Sequence, residues 1–175
     1  MLDEHIPSHA LTSFVVSVFT YRYFLERFPE LCILAYPADK PNEPIGCVVG
    51  KVDAEDVTVA TDDGGTATTT ERTGYIGMLA VVASHRRLGI GASLVHQVLR
   101  RMERMGCVSV TLETEVSNAA AQRLYQDAFG FIREELLVRY YLNWGDAYRL
   151  RLWLVCASTQ TDVCDMFVAP LRPGI

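Results

Sequence analysis

The sequence predicts an α/β domain built on a mixed central sheet. Three observations carry this. The expected elements run strand, strand, strand, helix, strand, helix, strand, strand. Residues 75–82 form the most apolar strand candidate, which suits a central position covered on both faces. A short basic turn with two glycines then joins that strand to an amphipathic helix.

Residues 1–10 are polar and weakly patterned, and 11–19 are apolar and β-branched enough to be either a buried strand or part of a helix. Tyr21, Phe24, Leu25 and Phe28 then recur at helical spacing, and Pro29 stops that helix. Residues 31–36 and 45–52 read as two strands joined by a Pro-, Asp- and Asn-bearing turn region. The stretch 53–73 is rich in Asp, Gly and Thr and is expected to be a mobile loop, with a ragged strand extension near 57–59. A helix is expected from about Gly89 to Met105. Leu94, Val95, Val98, Met102 and Met105 form its apolar stripe, with Gly106 after its end.

Residues 107–116 alternate, with Val108, Val110 and Leu112 on one face and Ser109, Thr111 and Glu113 on the other. Ser117 or Asn118 can cap the next helix, which ends near Gly130. Residues 131–141 and 147–155 read as an antiparallel pair. No repeat or internal boundary interrupts residues 1–157, which are expected to form one domain followed by a tail at 158–175.

Composition narrows the function. With 175 residues, half of them hydrophobic, the chain can bury a sizeable core. A formal charge of −5 argues against a dedicated nucleic-acid binder. Five cysteines, at 32, 47, 107, 156 and 164, lack C-x-x-C spacing and read as free thiols of a reducing compartment. The four histidines lack ligand spacing, so no metal site is expected. Neither a signal peptide nor an apolar run long enough to span a membrane is recognisable.

Arg86-Arg87-Leu88-Gly89-Ile90-Gly91 is the main chemical signal. Glycines allow a tight turn and close backbone approach, helix-start N–H groups can surround an anion, and arginines add charge. It is neither the three-glycine dinucleotide fingerprint nor a P-loop. On spacing alone, a phosphate site and a basic loop that merely begins a helix are both open.

Arg-x-x-Gly-x-Gly resembles the acetyl-CoA pyrophosphate motif of the GNAT superfamily. The likeness continues through 75–81, Leu112-Glu113-Thr114-Glu115-Val116, Ala119-Ala120-Ala121-Gln122-Arg123-Leu124-Tyr125, Gly130-Phe131, residues 139–143 and 145–147, and the early run 21–25. The ordered set, over about 19–154, resembles the catalytic subunits of NatC-type N-terminal acetyltransferases. That resemblance implies a GNAT fold, and acetyl transfer from acetyl-CoA to the N-terminal amine of proteins beginning Met-Leu, Met-Ile or Met-Phe. Implied partners are nascent N-termini, a large scaffold subunit, a small Sm-like subunit and, through them, the cytoplasmic ribosome.

The same resemblance assigns roles. Arg86, Arg87, Leu88, Gly89, Ile90 and Gly91 would hold the cofactor's diphosphate, with Asn118 as a further contact. The backbones of Leu79 and Val81 would bind the pantetheine arm, and an N–H near Leu79 or Ala80 would stabilise the oxyanion. Glu113 would be the base, directly or through water, and Tyr125 the acid or positioner. Phe19, Tyr21, Glu115, Tyr140 and Tyr141 would border the substrate groove. Each residue also has a plainer reading: core side chains for Leu79, Val81 and Tyr125, solvent-facing glutamates for Glu113 and Glu115, a simple cap for Asn118. The pattern departs from the family in three places. Only 18 residues precede the matching region, so the first strand is expected to be missing. Phe14-Val15-Val16 replaces an acidic-proline pair, and 53–73 is longer than the family's connection. A GNAT enzyme for another amine and a non-catalytic CoA-binding module are the competing readings.

Overall fold

A computed structural model of the protein describes residues 18–60 and 64–154, with the side chains of 18–21 outside that description. The expectation of a missing first strand therefore falls outside the described residues, as do Phe14-Val15-Val16 and the tail.

Helix α1, Val18–Arg27, ends before Pro29, where a short 3₁₀ turn, Pro29–Leu31, leads into strand β1, Cys32–Ala35. Phe24 is buried and Phe28 packs against the core, but Leu25 is 57% exposed. The buried stripe is thus narrower than the spacing suggested: α1 meets the sheet through Phe24, whose ring lies against Gly77.

Strands β2, Gly46–Ala60, and β3, Thr66–Val81, form a long antiparallel pair. This corrects the expected mobile loop at 53–73. The ladder continues from Asp53↔Thr73 out to Ala60↔Thr66 as a two-stranded arm. Val57, Val59 and the threonines at 66 and 68–70 are β-branched, which favours extended backbone even without a core to bury. Asp56 and Thr70 are directly opposite, and the Thr70 hydroxyl donates to Asp56 at 2.8 Å. Low hydrophobicity had signalled a loop, but the ladder supplies its own backbone bonds.

Helix α2, Ile90–Arg104, follows the basic turn, and β4, Cys107–Glu115, lies parallel to β3. A short helix α3, Ala119–Gln122, runs into a π-helical turn, Arg123–Ala128. Strands β5, Ile132–Leu137, and β6, Ala147–Trp153, complete a mixed sheet of order β1-β2-β3-β4-β6-β5. The expected strand at 131–141 is shorter, since residues 138–141 turn toward β6.

The core lies between α2 and the sheet. Leu94, Val95, Val98, Leu99 and Met102 of α2 are buried, and Met105 packs at the margin. They meet Leu31, Val48, Ile76, Val110, Leu112 and Leu150. Gly106, at φ +79°, turns the chain out of α2. Gly50 and Gly74 let Met102 approach the sheet: a Cβ at Gly50 would stand 2.7 Å from Met102 Cε and 2.9 Å from the Tyr75 carbonyl. The methionine tip can move, but the carbonyl is fixed by the ladder. Gly50→Ala should therefore destabilise the fold by about 1–3 kcal/mol. Urea unfolding measures this, and a wild-type midpoint would contradict the packing described.

Candidate functional site

The pairing of β3 with β4 is brief. It runs from Arg72↔Cys107 to Tyr75↔Thr111 and then stops. Beyond it, β3 continues to Val81 beside β2 alone, while Leu112–Glu115 of β4 pair only with β6. Past Tyr75, one edge of β3 thus faces a gap rather than a strand, with the backbone groups of Leu79 and Val81 on that side and those of Ala80 turned to β2. Such an edge presents backbone N–H and C=O groups to whatever enters.

The turn before α2 closes one end of this gap. Arg87 has φ +66° and Gly89 φ +81°, so the backbone twice enters the left-handed region within three residues. The first helical hydrogen bond runs from Ser93 N–H to the Gly89 carbonyl, leaving Ile90, Gly91 and Ala92 N–H without helical carbonyls. Arg86 Nε donates to the Val81 carbonyl at 3.0 Å, fastening the turn to the end of β3. Arg87 and Leu88 are exposed. A Cβ at Gly91 would lie 3.8 Å from Leu79 Cδ2 and Val81 Cγ2, and 3.9 Å from Leu124 Cδ2. Turn, open edge and π-helical turn therefore converge. The arrangement suits a diphosphate at the helix start with an extended chain beside β3.

On β4, Glu113 sits past the parting point with its side chain only 8% exposed. Tyr75 Oη donates to its Oε2 at 2.8 Å, and Arg149 Nε to its Oε1 at 3.1 Å. Arg149 also donates through Nη1 to Glu135 Oε2 at 2.9 Å. Tyr140 and Tyr141, stacked edge to face at 5.2 Å, complete the wall. Burial first, then Glu113, pushes the ionisation of Tyr75 well above the ordinary tyrosine range. Tyr140 is raised by the same two causes, and Tyr141 is pushed up to about 12 by burial, Tyr140 and Glu115.

Glu115 lies on the same strand, opposite Ala147, with its carboxylate against Gly145 of the β5–β6 loop. Asn118 is a cap: its Oδ1 accepts from Ala121 N–H at 3.0 Å. Tyr125 is buried on the π-helical turn, edge-on to Phe131 at 5.5 Å. Burial raises its ionisation, so it is a neutral hydroxyl at ordinary pH. The structure brings Glu113, Tyr140 and Tyr141 together and brackets them with Glu115. Phe19 and Tyr21 fall on α1, with side chains outside the described residues. Tyr75 and Arg149 were not singled out in the sequence. Tyr75 opens the matching strand, and Arg149 follows a matching run, but only the register shows that both meet Glu113. Among the described residues, no group of three or more His, Cys, Asp or Glu is placed to hold a metal ion, and no helix is long and apolar enough to cross a membrane. Cys32, Cys47 and Cys107 are free thiols.

A mixed sheet that parts beside a glycine-opened helix start defines an acyl-CoA-type transferase fold. The acetyltransferase (GNAT) family model matches residues 4–131, and the chain belongs to that family. Within it, the chain is closely related to the N-alpha-acetyltransferase 30 proteins. It is 42% identical over 138 residues to that of Xenopus laevis, covering 79% of this chain and 45% of the relative. It is 43% identical to that of Saccharomyces cerevisiae, covering 78% and 71%. The chain thus spans less than half the length of the Xenopus relative, and 34% of the human one. Among solved structures, a chain in the crystal structure of the NatC complex bound to Gag peptide and CoA matches at TM-score 0.68. That match is 41% identical and covers 83% of this chain and 84% of the other.

A tyrosine whose ionisation is raised in the folded state contributes stability below its unfolded value, and that stability is lost as pH rises through the folded value. Between pH 10.0 and about 12, Tyr141 should therefore cost stability progressively. The urea midpoint should fall over that window, and less steeply for Tyr141→Phe. Equal slopes for both proteins would contradict the half-buried placement of this ring.

Proposed function

We propose that this chain is the catalytic part of an N-terminal acetyltransferase of NatC type. It would transfer acetyl from acetyl-CoA to the α-amine of proteins beginning Met-Leu, Met-Ile or Met-Phe. The observation that carries the proposal is a shielded carboxylate, Glu113, at the mouth of the gap between β3 and β4. Relatedness to the N-alpha-acetyltransferase 30 proteins and to a NatC chain crystallised with peptide and CoA supports it.

When bound, acetyl-CoA supplies the activated acyl group. Amides of Ile90, Gly91 and neighbouring turn residues grip its diphosphate, with Arg86, Arg87 and Leu88 shaping the turn. Backbone groups of Leu79 and Val81 would align the pantetheine arm, with Asn118, the cap of α3, as a further contact. Of the two candidate amides, Leu79 N–H faces the gap and would stabilise the oxyanion, whereas Ala80 N–H turns to β2. A free α-amine titrates near 7.7–8.0, so a modest base prepares it. Glu113 takes that proton, directly or through water, and Tyr125 serves the departing thiolate as donor or positioner. Tyr140, Tyr141 and Glu115 line the groove for the substrate's first residues. An aromatic wall there combines apolar area with hydrogen-bonding tips.

The relation to a chain of the NatC complex supports assembly with other subunits. We extend this to a scaffold and an Sm-like subunit, and through them to nascent chains on cytoplasmic ribosomes.

Glu113→Gln keeps the size of the side chain and removes the basic carboxylate. Turnover should fall on the order of 10²–10⁴-fold with acetyl-CoA affinity retained. Unchanged turnover of Met-Leu peptides would reject the base assignment, and turnover only of internal lysines or polyamines would reject the substrate class. Gly89→Val places a β-branched residue at φ +81° and should weaken acetyl-CoA binding in calorimetry. Normal affinity would place the diphosphate elsewhere.

A further inference from the structure

Three strands contribute to one row of charge behind the carboxylate at the mouth of the gap. Arg149 of β6 is the direct partner of Glu113 on β4 and of Glu135 on β5. Its guanidinium bonds both, through Nε and Nη1. A bulge in β5 between Arg133 and Glu135 makes this possible. The extra residue re-aims the strand, so that Glu135, rather than Glu134, stands opposite Arg149. Glu134 instead accepts from Arg151 Nε at 2.7 Å. The bulge thereby delivers one carboxylate to each arginine.

The consequences for Glu113 are geometric. Each of its oxygens is held by a donor from a different strand, Tyr75 of β3 and Arg149 of β6. The remaining lone pairs have a fixed direction. Arg149 is itself fixed, because the planar guanidinium spans two acceptors and so loses its freedom to swing away. A lysine could not make both bonds with the same orientation. The groups facing this carboxylate are Tyr75 from β3, Arg149 from β6, and Tyr140 and Tyr141 from the β5–β6 loop. Glu135 and Glu134 of β5 both act on Arg149.

We propose that Arg149 is a positioning residue, which aims the Glu113 carboxylate at the incoming amine and is itself held in place by Glu135. This rests on the reading of Glu113 as the base. A purely structural ion pair would instead matter for stability and leave the chemical step alone.

A double-mutant cycle separates the two, run on the protein with any subunits it needs for activity. Arg149→Met should lower kcat on the order of tenfold, with the KM for acetyl-CoA within about twofold of wild type. In a Glu113→Gln background the same substitution should lower kcat no further, because its effect passes through the lost carboxylate. Arg149→Lys keeps a cation between the two glutamates and protects folding if the methionine variant is unstable. Its kcat should lie between those of wild type and Arg149→Met, and it too should add nothing to Glu113→Gln. Wild-type kcat in Arg149→Met or Arg149→Lys, or losses that multiply with Glu113→Gln, would overturn the positioning role alone. Full activity of Glu113→Gln by itself would overturn the base assignment and this proposal with it.

Discussion

The parting of β3 from β4 after Tyr75↔Thr111 is the constraint on which the rest of the structure depends. A mixed sheet normally gains by pairing its central strands along their full length. Here β4 keeps its ladder with β6, and β3 keeps its ladder with β2, so each satisfies only one edge beyond the split. The bulge between Val49 and Gly50 shifts the β2–β3 register at the level of the split. Backbone polar groups left open in this way need a partner, whether water or an extended ligand. The turn at Arg86–Gly91 then places the start of α2 at the end of the same opening.

Packing and chemistry occupy different faces of the same strands. Gly50 and Gly74 receive Met102 of α2 on one side of the sheet. On β3, Gly77 lies against Phe24 of α1, and a Cβ there would also crowd the neighbouring Tyr75 ring. The hydrophobic core therefore rigidifies the strands from the α2 side. Glu113, Tyr75 and Arg149 form their polar cluster by reaching across three of those strands. Held on strands rather than loops, such a cluster keeps its geometry when a substrate arrives. The β5–β6 loop completes the site, with Leu142 and Trp144 exposed beside the two tyrosines.

Much of this was legible in the sequence. Apolar periodicity located α2, alternation located β4, and the Arg-x-x-Gly-x-Gly run located the turn that opens onto the gap. Glu113 was singled out because it alternates away from Leu112 and matches a family position. What stayed hidden depends on register. Glu113 meets Arg149 across 36 residues of sequence, and Arg149 meets Glu135 only because of a bulge. Neither periodicity nor composition encodes such a coincidence. The arm at 53–73 was misread because a two-stranded ribbon of threonine and valine buries little, so its strand character rests on β-branching and its own ladder. The π-helical turn under Tyr125 was equally invisible, since helical spacing does not distinguish bonding to the fourth residue from bonding to the fifth.

In the proposed function, the cofactor lies in the opening between the two strands, gripped at the start of α2. Amide hydrogen exchange, resolved by residue with and without acetyl-CoA, tests it most directly. Slowed exchange at Leu79, Val81 and the amides of residues 89–92, with the β2–β3 arm unchanged, is the expected result. Binding that protected other segments and left these amides exchanging freely would contradict it.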